Sequence, residues 1–287
     1  MSYTNVRSAA DIYMQKAKSD CEALWDLFEP YADAEFLVEI RNNFEARYWE
    51  MYLAAYLIKE GYEICAPKPG PDVGIHYNGC RIWFEATSPT RGAEGKPDQV
   101  PDISVASNGK ELKFQDVPNE KMLLRYLNSI SEKQRQHASW LAEGIIAPED
   151  SFVVAINPRR LRHEVADSDP PRILQAAYPV GSAYAAIDPA TSKMVDSGYM
   201  FRDAIQKSSG AEVPTGVFLL REYGTLSALL CSRVDAANQP DKMGADFQLV
   251  ENRKAKAPLP DRFRLKGTFF RIDSIPAGYR AIRELHI

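Results

Sequence analysis

Cysteine is scarce in this chain, with four in 287 residues (Cys21, Cys65, Cys80 and Cys231) and no Cys-x-x-Cys pair among them. That spacing excludes a disulfide framework and the usual structural zinc sites. The four histidines, His76, His137, His163 and His286, do not cluster with the cysteines. No apolar run approaches the roughly 20 residues that cross a bilayer, so no membrane partner is expected. The start, Met1-Ser2-Tyr3-Thr4-Asn5-Val6-Arg7, has no apolar core after its charge, and the expected location is cytoplasmic. A Gly-rich phosphate loop and a nucleophile elbow are also missing, which removes the main sequence support for small-molecule α/β enzymes. With no internal repeat, low-complexity tract or obvious linker, residues 1–287 read as one domain. Its expected parts are an N-terminal helical segment over 1–40, a core over about 41–160 and a β-rich C-terminal elaboration over about 161–287.

What is present suits a soluble globular chain able to bury a substantial core, with 45% hydrophobic and 26% charged residues. A formal net charge of −4 argues against a general nucleic-acid-coating protein, whose affinity comes from neutralising phosphates. The charge is uneven, however. From Asn252 to Ile287 nine Lys or Arg face Asp261, Asp273 and Glu284, so this tail carries +6 and the remainder −10. Such a tail is either a local phosphate-binding surface or a solvated basic edge.

The most informative stretch is Gly70-Pro71-Asp72-Val73-Gly74-Ile75 followed by Arg81-Ile82-Trp83-Phe84-Glu85-Ala86-Thr87. Residues 72–77 and 80–87 read as two strands joined by Asn78-Gly79, a favoured two-residue hairpin turn. The second strand is apolar through its centre, so Glu85 arrives on a partly buried segment. A buried carboxylate needs a cation, a metal or hydrogen-bond donors. Either Glu85 pairs with an arginine such as Arg81 or Arg91, or it joins Asp72 at one end of the sheet, where two acids suit a divalent metal.

Elements on either side frame this hairpin. Phe44 to Leu57 is rich in helix formers and runs on to Gly61, with Tyr48, Met51, Tyr52, Ala55 and Ile58 forming an apolar stripe bordered by Glu50. Upstream, residues 6–40 read as amphipathic helix broken by Pro30. Gly92 to Gln115 is a long polar loop, a candidate substrate-contacting flap. Pro118 to Glu143 reads as a long helix ending at Gly144, with Arg125, Ser129, Lys133 and Gln136 on one polar stripe. Ser151 to Pro158 is an apolar strand fit for a central parallel position, followed at once by Arg159, Arg160 and Arg162, which either hold phosphate or open a surface helix. Further strands are expected at Ala183–Ile187, Val217–Arg221, Leu226–Cys231 and around Phe263–Ile272.

Pro71-Asp72, a hairpin-length spacer and Glu85-Ala86-Thr87 resemble the PD-(D/E)XK nuclease superfamily, with Thr87 where that family carries lysine. The resemblance covers about residues 40–160. It implies an α/β fold with a restriction-endonuclease-like mixed sheet flanked by helices, preceded here by N-terminal helices. It also implies a metal-dependent nuclease hydrolysing phosphodiester bonds, DNA rather than RNA, with Mg²⁺ or Mn²⁺. Asp72, Glu85 and the carbonyl of Ala86 would hold the metal. Glu50, or second to it Glu45, would add an acid from the preceding helix, the alternative being a solvated Glu50 paired with Arg47. In such nucleases the lysine can migrate to the next helix, which makes Lys133 the substitute cation and Gln136 an auxiliary donor; the alternative places both on a wet helix face. Paired cuts in duplex DNA would call for a homodimer. The rival reading is a catalytically degenerate nuclease-like module that binds nucleic acid or a protein partner.

Overall fold

The computed structural model describes residues 2–8, 11–65, 69–103, 115–164, 167–275 and 278–286. Four helices come first: α1 (Tyr3–Arg7), α2 (Ile12–Phe28), α3 (Phe36–Asn42) and α4 (Phe44–Lys59). Pro30 lies in a 3₁₀ turn over Glu29–Tyr31 that ends α2, as its missing N–H and fixed φ require. A meander follows, made of β1 (Glu63–Cys65), β2 (Val73–Tyr77) and β3 (Cys80–Thr87), all antiparallel. Asn78 (φ 49°) and Gly79 (φ 80°) both turn left-handed, as the two-residue connection demands.

The long helix α5 (Asn119–Ala142) then returns the chain to β4 (Ser151–Ile156), which lies parallel to β3. The short helix α6 (Arg172–Ala177) leads to a hairpin of β5 (Val180–Ile187) and β6 (Met194–Phe201), and a smaller one joins β7 (Ala204–Gln206) to β8 (Glu212–Pro214). The chain re-enters the main sheet through β9 (Ala228–Cys231), parallel to β4, and ends with β10 (Gln248–Glu251), β11 (Gly267–Ile275) and β12 (Gly278–His286). The result is an α/β protein around an eight-stranded mixed sheet in the order β1-β2-β3-β4-β9-β10-β11-β12. The segment 161–287 is therefore not purely an elaboration, because β9 occupies the middle of the sheet.

Side-chain alternation along the central strands builds two cores. Ile82, Phe84, Val153, Ala155, Ala228 and Leu230 pack under α4, while Trp83, Phe152, Val154, Ile156, Leu229 and Cys231 pack under α5 and α6. The indole of Trp49 donates to the carbonyl of Ala155 at 2.9 Å and fixes α4 over β4. Gly74 is required opposite Trp83, because a Cβ there would lie 2.2 Å from the ring.

Two expectations change. The α4 stripe becomes a helix buried at every position from Tyr48 to Leu57, because α2 and α3 cover the side turned away from the sheet. Val217–Arg221 is not a strand but a 3₁₀ turn over Val217–Leu219, entered through Gly216 at φ 66°. That left-handed turn lets Val217 and Phe218 drop into the α5 core without a ladder partner.

The α5 core also holds a titrating group. His137 is stacked on Phe152 with ring centroids 4.0 Å apart, and burial pushes its pKa down to about 4 from the ordinary 6.5, against the weaker pull of Asp150. Between those values the unfolded chain binds the proton and the folded one does not. The stability is thus fully present above pH 6.5 and declines as pH falls toward about 4, by up to about 3 kcal/mol. Urea unfolding at pH 7.5 and pH 5 should show a larger drop in the parent than in His137→Gln. Equal drops in the two proteins would refute this assignment.

Candidate active site

The hairpin register sets Val73 opposite Phe84, which leaves Asp72 beside the end of β3. There each acid grips a backbone amide of the facing segment. The amide of Asp72 donates to Glu85 Oε2 at 3.1 Å, and Asp72 Oδ2 accepts the amide of Ala86 at 2.7 Å. Glu85 is 2% exposed. Burial raises its pKa to about 8 and the facing charge of Asp72 adds to the rise, while Lys133 and the Asp72 amide oppose it.

Lys133 comes from α5 and places Nζ 2.7 Å from Glu85 Oε1 and 3.3 Å from Gln136 Oε1. Burial lowers the Lys133 pKa, and the attraction of Glu85 outweighs it, so the ammonium is held above its ordinary value. A carboxyl stripped of water beside a second acid resists ionisation, which holds Glu85 above the ordinary carboxylate range. Glu85 does not pair with either arginine considered above: Arg81 lies over Trp83 and near Asp150, and Arg91 pairs with Asp102. Strand alternation puts Thr87 on the same side as Glu85, toward α5. The polar stripe of α5 divides: Arg125 Nε donates to the carbonyl of Thr90 at 2.7 Å, Ser129 is buried and Lys133 is half-buried toward the strand ends, while Gln136 is exposed on the wet face of the helix.

The helix α4 closes the opposite side. Glu50 is buried, not solvated, and accepts from Arg47, which also pairs with Glu39. A cleft of about 260 Å³ is lined by Glu50, Asp72, Ala86, Thr87, Lys133 and Arg160. Glu45 does not reach it and instead lies 3.8 Å from Arg160 Nε. The cleft thus joins Glu50, Asp72, Ala86 and Lys133, with Glu85 buried behind Asp72 and Lys133, while Gln136 stays exposed on α5 and meets the site through Lys133. Among the described residues no group of three or more His, Cys, Asp and Glu forms a metal cage. Mg²⁺ does not need one, since it is usually held by one or two carboxylates, water and substrate phosphate. Two clasped carboxylates, one of them buried and resisting its charge, fit such an ion.

The sequence treats Arg159, Arg160 and Arg162 as one basic cluster and does not separate Arg160 from the other two. The 3₁₀ turn at Pro158–Leu161 separates the three side chains: Arg159 turns to Asp235, Arg162 is exposed at φ 61°, and Arg160 enters the cleft. It also borders a second polar cleft of about 480 Å³, with Arg91, Gln99 and Arg162. The candidate flap contributes Gln99 and Asp102 there, while its residues 104–114 lie outside the described set. The basic tail lies elsewhere. Lys266 pairs with Glu60 at 2.6 Å, and Glu60 is ten residues beyond Glu50, or about 15 Å along a helix. Arg264 stacks on Phe269 at 4.4 Å.

The chain matches no family model, no curated protein and no solved structure.

Proposed function

We propose that this protein is a metal-dependent nuclease of restriction-endonuclease-like fold that hydrolyses phosphodiester bonds, with DNA as its substrate. The observation that carries the reading is the buried Glu85, set between Asp72 and Lys133 at the ends of β2 and β3. Asp72, Glu85 and the carbonyl of Ala86 hold Mg²⁺ or Mn²⁺, with Glu50 as a direct or water-mediated ligand. A bound ion lowers the pKa of a water and offsets charge on the scissile phosphate. Lys133, on the side where Thr87 is too short to reach, orients the attacking water or donates to the phosphoryl oxygens as negative charge grows. Gln136 steadies the Lys133 ammonium. Arg160 at the mouth holds a neighbouring phosphate of the strand.

The rival, a degenerate module that binds nucleic acid or a protein without cutting, draws on Thr87 and on the Lys133 ammonium already compensating Glu85. One assay separates them. Plasmid, linear duplex, single-stranded DNA and RNA are incubated with Mg²⁺ or Mn²⁺ and with EDTA, beside a calorimetric titration of Mn²⁺. Metal-dependent cleavage supports the nuclease; no cleavage of any substrate with either metal transfers the preference to the module.

The position of Arg160 carries its own prediction. Arg160→Ala should weaken DNA binding, measured in Ca²⁺ to prevent cutting, and lower the logarithmic salt slope by about one unit. The tail variant Arg262→Ala/Arg264→Ala/Lys266→Ala should leave that slope unchanged, because Arg264 and Lys266 are committed to Phe269 and Glu60. A slope lost from the tail variant and kept in Arg160→Ala would reverse the assignment.

A further inference from the structure

Among the described residues, the β5–β6 hairpin is a two-stranded sheet whose strands pair only with each other. An isolated hairpin of this kind is marginally stable in water unless something covers it. Its surface is apolar: Ile187, Met194, Val195, Tyr199, Met200 and Phe201 are between 51% and 75% exposed. At about 180 Å² for a large apolar side chain, these six leave on the order of 700 Å² of apolar surface in water. Strand alternation divides this surface between the two faces of the arm, with Tyr199 and Phe201 on one and Met200 on the other, so a partner that clasps both faces would bury close to the roughly 800 Å² per partner of a standard interface. At the base of the arm an apolar cleft of about 600 Å³ opens between Leu174 of α6, Tyr178, Phe270 and Ile272 and the arm's own Tyr199 and Phe201.

Charge narrows the occupant. Between Val180 and Phe201 the charged residues are Asp188, Lys193 and Asp196. Asp188 accepts from Thr191 and from the amide of Ala190 in the turn, and Asp196 accepts from Tyr184. A net charge of −1 with a single lysine offers nothing to a phosphate backbone or an anionic lipid surface. What each copy does carry is a protruding apolar arm together with an apolar cleft beside it. A two-fold axis requires only that one patch complement itself, and arm against arm with each cleft receiving the other's side chains meets that condition.

We propose that the β5–β6 arm and its basal cleft form the interface of a symmetric homodimer. This inference stands apart from the nuclease reading, since it uses no residue of the Asp72–Glu85 site. Sedimentation of the whole chain from 1 to 100 µM should show a species of about 64 kDa, twice the 32.2 kDa chain. The double variant Met194→Lys/Phe201→Lys, both changes at exposed positions, should weaken that dimer at least a hundredfold and keep the parental circular dichroism. Amide exchange supplies a second reading on the unaltered chain, with residues 180–201 better protected at 100 µM than at 1 µM. A parent that stays monomeric at 100 µM overturns the proposal, even if its arm is protected by some other partner. So does a dimer whose dissociation constant ignores the double variant, or arm amides that exchange alike at both concentrations.

Discussion

Asp72→Ala and Glu85→Ala should each abolish Mg²⁺-dependent cleavage, with losses of at least about a thousandfold, since on the proposed mechanism each removes a metal ligand that no other carboxylate of the clasp replaces. Neither change should unfold the protein. Asp72→Ala loses the 2.7 Å bond from the Ala86 amide, and at the same time frees the buried Glu85 from a facing charge. These effects oppose each other, so the melting temperature should move little or rise. Asp72→Asn refines the test by keeping an oxygen that can accept from the Ala86 amide while removing the charge. It should be as inactive as the alanine variant. Rates come from single-turnover cleavage of a labelled duplex, and circular dichroism confirms the fold. A folded variant of either acid that cuts at the parental rate disposes of the two-acid site.

The second large effect is at Lys133. If its ammonium substitutes for the cation that Thr87 cannot provide, Lys133→Ala should slow single-turnover cleavage about a hundredfold or more, the range for loss of one transition-state donor. Mn²⁺ affinity should change little, because the ligand set is intact. The variant leaves Glu85 and Asp72 without their nearest described counter-charge, and protonation of Glu85, already favoured by burial, relieves the strain. Adding Thr87→Lys restores a cation to the same side of β3 and should recover part of the rate. Full activity in Lys133→Ala refutes the substitution, and a parallel fall in Mn²⁺ affinity would make Lys133 a support of the metal site instead.

Much of this arrangement was legible before any coordinates. Asn78-Gly79 fixes a two-residue turn by backbone preference alone, and the helix expected over Pro118–Glu143 is α5 at Asn119–Ala142. The apolar run at Ser151 becomes a central parallel strand because both of its faces are buried. Other features depend on contacts between remote segments. The all-round burial of α4 is decided by α2 and α3, and the pairing of Glu85 with Lys133 spans 48 residues. Arg160 could not be separated from Arg159 and Arg162 until the 3₁₀ turn aimed the three in different directions. Of the arm, only Ala183–Ile187 reads as a strand in the sequence; β6 does not, because Asp196, Ser197 and Gly198 interrupt its apolar residues.

The hairpin turn also governs the clasp of the two acids from a distance. Successive residues of a strand point to opposite faces, so one residue added to or lost from the Asn78-Gly79 connection would shift the pairing of β2 with β3 by one place. Glu85 would then no longer lie opposite Asp72, and the clasp through the amides of Asp72 and Ala86 would have no partner on the neighbouring strand. The length of a surface turn thus sets the alignment of Asp72 with Glu85, and a change of residue count that would be harmless in most loops would here undo their clasp.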